Sequence, residues 1–237
     1  MADEPEPGWW RVARWSVRAH GAFVALSMLV LVLLVGATPS PDRADARAMM
    51  AYHEATWPWA PLGLVLLAAG FLTLAPAGLA LRAVHGRGRM FWDLLAMLFV
   101  LAAVLETTSL ILQIASKASL WQLGRDAPPE TIEQLVLIDE VAGVAGMLFA
   151  FVTFLLVAVA LGMLAWWVLT CRDLPRSVGW LSGAIALAYV VGQVGIAAGH
   201  IGVAMLPRVL AMGLLTPVWA LWFAHHLHAG RWAGDVR

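Results

Sequence analysis

The stretch LLAMLFVLAAVLETTSLILQIA, residues 94–115, decides how this chain is read. A helix crosses a bilayer with about 20 predominantly apolar residues, and this run reaches that length with one formal charge, Glu106, near its middle. Five further runs share its character. The spans fall at about 14–37, 58–83, 91–115, 137–169, 177–203 and 207–228. Hydrophobic residues make up 62% of the 237 and charged residues 13%, whereas a soluble domain has roughly 45–50% and 25%. Lipid must therefore be the solvent for much of the surface. The expected fold is all-α: one integral membrane domain over 1–237, a polytopic bundle of six transmembrane helices. Pro76 and Pro217 lie inside spans and predict local breaks. The fourth run has no strong breaker from Pro128 to Thr170, so its helix is expected to project beyond the bilayer.

Charge sets the expected orientation. Arg11, Arg14, Arg18, Arg82, Arg87, Arg89, Arg172, Arg176, Arg231 and Arg237 fall on one side. The other side holds Arg43, Arg47, Lys117, Arg125 and Arg208. The positive-inside rule places both termini in the cytoplasm of a cell with an inner membrane. Trp9, Trp10 and Trp15 alternate with Arg11, Arg14 and Arg18, the composition of an interfacial anchor. Trp57, Trp59, Trp92, Trp121, Trp166, Trp167, Trp180 and Trp232 read as aromatic belts. The net charge of zero carries no basic patch for nucleic acid. Cys171 is the single cysteine, which excludes an intrachain disulfide.

An ionisable group at mid-membrane is a functional hypothesis by default, because it costs about 2.5–3.5 kcal/mol to place there. Glu106, Ser109, Gln113 and Ser116 share one face of the third helix. Tyr189, Gln193 and His200 share one face of a fifth helix drawn to residue 203. With ends taken near 116 and 203, Glu106 matches Gln193 in depth and Gln113 matches His200. The expectation is a one-sided pocket between the third and fifth helices, in the outer half, with Arg208 and Glu140 at its mouth. Glu106, Gln113, Gln193, His200 and Arg208 are the candidate ligand- or proton-binding residues; no catalytic residue and no metal site is read. The competing reading makes the amides and hydroxyls interhelical hydrogen-bonding glue, worth about 1 kcal/mol or less each. Ser27, Thr73, Thr153 and Ser182 read as isolated, His53 as a loop residue, and Arg89 with Asp93 as an i,i+4 pair. Gly195 and Gly199 form a GxxxG pair for internal packing or for a homodimer.

Two segments resemble a bacterial family. Leu174-Pro175-Arg176-Ser177-Val178-Gly179-Trp180-Leu181 is similar to the LPRWLGWLG signature of the domain-of-unknown-function family forty-three eighty-six, with Ser177 in place of the usual aromatic. LTPVWALWF, residues 215–223, is similar to that family's ending, and the third helix with its internal Glu106 resembles its counterpart. The resemblance implies a bacterial multi-pass membrane protein and transfers no catalytic residue. Three functional expectations follow from the residues. The first is a non-enzymatic protein, either an accessory subunit of a larger membrane complex or a binder of a lipid or other small ligand. The second is a proton-linked secondary transporter using Glu106. The third is a b-type haem protein with His20 and the His225, His226, His228 group at one end and His53 and His200 at the other.

Overall fold

The computed structural model describes residues 7–39, 45–85, 90–171 and 174–227. Among them the chain is helical, without strands. The helices are α1 (Pro7–Leu29), α2 (Ala46–Thr56), α3 (Trp59–Leu72), α4 (Leu74–His85), α5 (Met90–Gly124), α6 (Pro129–Cys171), α7 (Arg176–Ala197), α8 (Ile201–Leu210) and α9 (Thr216–His226). A π-helical turn, Val30–Val35, continues α1, and another, Ala211–Leu215, joins α8 to α9. Six segments are long and apolar enough to cross a membrane: Gly8–Val35, Trp59–His85, Met90–Gly124, Pro129–Cys171, Arg176–Ala197 and Ala204–His226. Arg43, Arg87, Arg89, Arg172, His228, Arg231, Trp232 and Arg237 lie outside the described residues.

The long helices are apolar around their whole circumference, as helices with lipid on one side and protein on the other must be. On α5, Leu95, Phe99 and Ala102 are buried while Leu101, Val104 and Ile111 face outward. Small residues bring backbones together. A Cβ at Gly21 would lie 2.5 Å from Ala220 Cβ, which binds α1 closely to α9. Gly78 does the same for α4 on α5, where a Cβ would lie 3.1 Å from Ala96 Cα. Ser27 donates to Gly63 O at 2.8 Å and Trp219 Nε1 donates to Ser182 Oγ at 2.8 Å. These hydroxyls are therefore interhelical ties, not isolated groups.

Both intraspan prolines act as expected. Pro76 cannot donate to residue 72, and the second span breaks at Thr73 between α3 and α4. At the break the carbonyl of Gly70 accepts from Thr73 N and from Thr73 Oγ1 at 2.6 Å, and is met by His20 Nδ1 at 2.9 Å. The π turn Ala211–Leu215 precedes Pro217 and absorbs the second break.

The fifth span ends six residues before its expected limit of 203. Gly199 adopts φ +80, His200 N donates to Gly195 O at 2.9 Å and Gly199 N donates to Ile196 O at 3.0 Å. This is a Schellman motif, which stops a helix with a glycine in the left-handed region.

The helix of the fourth span, α6, is 43 residues long, about 65 Å at the helical rise, against a hydrocarbon core of about 30 Å. It projects, and α5 projects with it. His53 does not belong to a loop, as its sequence context suggests; the structure places it on α2, docked on the projecting α5–α6 hairpin. Met50, Leu120 and Val136 form a small separate core under α2, and Trp57 stacks on Trp121 with ring centres 4.8 Å apart. Asp45 caps α2, accepting from Arg47 N and Ala48 N at 3.0 Å each.

Candidate functional site

Glu106 lies in the middle of α5 and is 3% exposed. Its neighbours come from α6, α7 and α8. Thr153 on α6 sets its hydroxyl beside the carboxyl without the alignment of a hydrogen bond. Arg208 on α8 and Tyr189 on α7 lie within Coulombic range of the same carboxyl. Among the described residues the direct ion pairs are His53–Asp139, Arg82–Asp93 and Lys117–Asp139, so Glu106 and Arg208 attract each other without contact. Asp93 thus takes Arg82 as its partner; Arg89, its expected partner, lies outside the described residues.

Arg208 does not stand at a mouth as expected. It is 8% exposed, with its guanidinium carbon 4.3 Å from the centre of the Phe154 ring. A desolvated cation on an aromatic face gains about 2 kcal/mol. Gly192 makes room for its stem, since a Cβ there would lie 2.5 Å from Arg208 Cγ. Phe154 in turn packs on Tyr189, ring centres 4.9 Å apart, and Tyr189 Oη lies 3.4 Å from Thr216 Oγ1. Gln193, one turn beyond Tyr189 and beside Gly192, is fully buried. Glu106 Oε2, Thr153 Oγ1, Gln193 Oε1 and Gln193 Nε2 are all buried without a hydrogen-bond partner.

The packing order among the described residues does not set the third and fifth spans side by side. Helix α5 packs on α6 and α6 on α7, so α6 lies between α5 and α7. Gln113 consequently faces α6: a Cβ at Gly146 would lie 2.6 Å from Gln113 Nε2. Gln113 Nε2 donates to Ser109 Oγ at 3.2 Å, and Ser109 Oγ donates to Gly146 O at 3.1 Å. His200 does not meet Gln113; it is exposed in the turn after the Schellman motif. Glu106 and Arg208 are thus brought into one cluster, Gln113 belongs to a ladder leading away from it, and His200 to neither.

That ladder ends at the α2 end of the bundle. Ser116 Oγ lies 3.0 Å from Gln113 O and 2.6 Å from Asp139 Oδ1. Lys117 Nζ donates to Asp139 Oδ2 at 3.3 Å, and His53 Nε2 lies 3.6 Å from the same oxygen. Glu106, Ser109, Gln113 and Ser116 thus form a stripe from mid-helix to this cluster. Burial lowers the His53 pKa below its ordinary 6.5, the Lys117 charge adds to this, and Asp139 opposes it. Beside the cluster, among α2, α5 and α6, opens a groove of about 390 Å³. Sequence reasoning misses Asp139 and Lys117 as site residues, because a loop around His53 would give them nothing to meet.

Histidines are otherwise dispersed. His20 Nδ1 is held by Gly70 O, and His225 and His226 contact each other's rings at 5.1 Å. Among the described residues no group of three or more His, Cys, Asp or Glu is placed to hold a metal. Gly192 and Gly195 pack internally, the latter with a virtual Cβ 2.6 Å from Ala204 Cβ, and Gly199 ends α7. Comparison with family models, curated proteins and solved structures returns no match.

Proposed function

We propose that this chain is a non-enzymatic membrane protein that binds a small polar ligand in the cluster built on Glu106, Thr153, Gln193 and Arg208. The supporting observation is the set of buried, unpartnered polar atoms on Glu106, Thr153 and Gln193. Each such atom costs about 1–3 kcal/mol, and a ligand carrying donors and acceptors recovers that cost. The uneven spread of arginines supports a bacterial inner membrane with both termini cytoplasmic, in keeping with the family resemblance. Native mass spectrometry of the gently extracted protein tests the reading. A bound small-molecule mass is expected in the wild type and lost in Glu106→Gln and Gln193→Leu. Equal adducts in all three, or none in the wild type, removes it. A stoichiometric protein partner in the same spectrum would assign the accessory-subunit role.

A second reading, proton-linked transport through Glu106, is favoured by the polar stripe Asp139, Ser116, Gln113 and Ser109 that leads toward that carboxyl. It is tested in liposomes enclosing a pH-sensitive dye. Proton flux unchanged by Glu106→Gln sinks it.

A further inference from the structure

The groove at the α2 end has two chemically different ends. Its polar end holds His53, Lys117, Asp139 and Glu140. Asp139 is already engaged by Lys117 at 3.3 Å and by Ser116 at 2.6 Å. Glu140 is exposed and enters none of the ion pairs among the described residues, so it presents an uncompensated carboxylate. Lys117, with its side chain 26% exposed, keeps ammonium protons free of Asp139. His53 is buried beneath the groove, with its Nε2 3.6 Å from Asp139 Oδ2, so it backs the polar end rather than opening onto it.

The other end is apolar and faces outward. Gly143, Val144 and Met147 also line the groove. With Glu140 they follow steps of three and four along one face of α6. From Glu140 to Met147 is about 10 Å along the axis. Val144 is 59% and Met147 47% exposed, so this wall lies open to whatever surrounds the bundle. Nothing lies within 4 Å of a Cβ built on Gly143.

We infer that this groove binds a zwitterionic amphiphile with a phosphate and a primary ammonium group, its head at Lys117 and Glu140 and its chain along Gly143, Val144 and Met147. The ammonium meets Glu140, and the phosphate takes the free ammonium protons of Lys117. A phosphatidylethanolamine from the bilayer and a soluble phosphodiester of ethanolamine both carry this head chemistry. The apolar wall assigns the bilayer lipid. None of the residues in this inference belongs to the Glu106 cluster, so the two readings stand or fall separately.

The experiment is delipidation of the full chain in detergent, addition of palmitoyl-oleoyl phosphatidylethanolamine, phosphatidylcholine or phosphatidylglycerol, and native mass spectrometry. Phosphatidylethanolamine is expected to be retained at least tenfold over phosphatidylglycerol. A Cβ at Gly143 meets nothing within 4 Å, so Gly143→Trp starts in open space and is expected to occupy the groove and abolish that retention, with the melting temperature measured alongside to confirm folding. Glu140→Lys, at an exposed position, is expected to turn the preference toward phosphatidylglycerol. Glu106→Gln is expected to leave retention untouched. Lipid held against added glycerophosphoethanolamine supports the bilayer source; the soluble compound displacing it at equal concentration overturns that source. Equal retention of all three lipids, or retention undiminished in Gly143→Trp, overturns the inference.

Discussion

At the residue scale, the informative groups are buried charges whose partners stand off. Arg208 has Phe154 and Met205 for contacts and Glu106 for a distant countercharge. Removing one member of a buried charged set leaves the other uncompensated, at about 3 kcal/mol. Arg208→Met should therefore lower stability by about that much, and adding Glu106→Gln should recover at least half. Thermal unfolding in detergent measures the cycle; simply additive losses would show that the two groups do not interact. His53 gives a pH dependence of stated sign. Its pKa in the docked helix lies below 6.5, so the docked form binds fewer protons than the free form. Docking of α2 is then strongest above about 6.5 and weakens as pH falls from there toward the lowered value. The facing ionisable groups are Lys117 on α5 and Asp139 and Glu140 on α6. His53→Gln leaves those groups in place, so a change between pH 7.5 and 5.5 that it removes belongs to the histidine. The protection of amides 46–56, after correction for the intrinsic base-catalysed rate, should fall between pH 7.5 and 5.5 in the wild type and stay constant in His53→Gln. Identical pH profiles for the two proteins would refute the assignment.

At the element scale, apolar run length is enough to read six spans, and proline position is enough to read two breaks. What stays hidden is hidden for physical reasons. Gly199 carries two meanings in sequence, a small packing residue or a helix terminator, and only its φ of +80 decides between them. Reading it as packing carries α7 six residues too far and puts His200 on a face it does not share. Helix α2 is polar enough to pass for a loop, because its stability comes from Met50 against Leu120 and Val136 rather than from its own propensity. Glu106 is legible from its cost in lipid, but Thr153 becomes its neighbour only through α6 lying between α5 and α7, an order that periodicity does not encode. The two glycines of the GxxxG pair should accordingly respond differently. Gly199→Ala meets no neighbour and should cost about 1–2 kcal/mol for the left-handed backbone alone. Gly195→Leu must displace the α8 backbone at Ala204 and should cost more. Comparable melting temperatures for the two variants would contradict the Schellman reading; a monomer–dimer change in Gly195→Leu would instead point to the homodimer face.

At the scale of the whole molecule, α6 is the natural ruler. It runs 43 residues without interruption, from Pro129 at the α2 end to Cys171 at the other. Cys171 is exposed and is the only cysteine in the chain, and its neighbours Arg172 and Arg176 belong to the arginine-rich side. Glu130, on the first turn of the same helix, is exposed and belongs to the arginine-poor side. If α6 spans the bilayer in the orientation that the charges favour, the two ends meet different compartments. A membrane-impermeant maleimide should label Cys171 only after cells are permeabilised. In Cys171→Ser carrying Glu130→Cys, it should label intact cells. The reversed pattern would leave the six-span bundle standing and invert it in the membrane, moving the groove at the α2 end to the cytoplasmic side. Labelling of both positions from one side would be more damaging, because the longest apolar helix would then not cross the membrane at all.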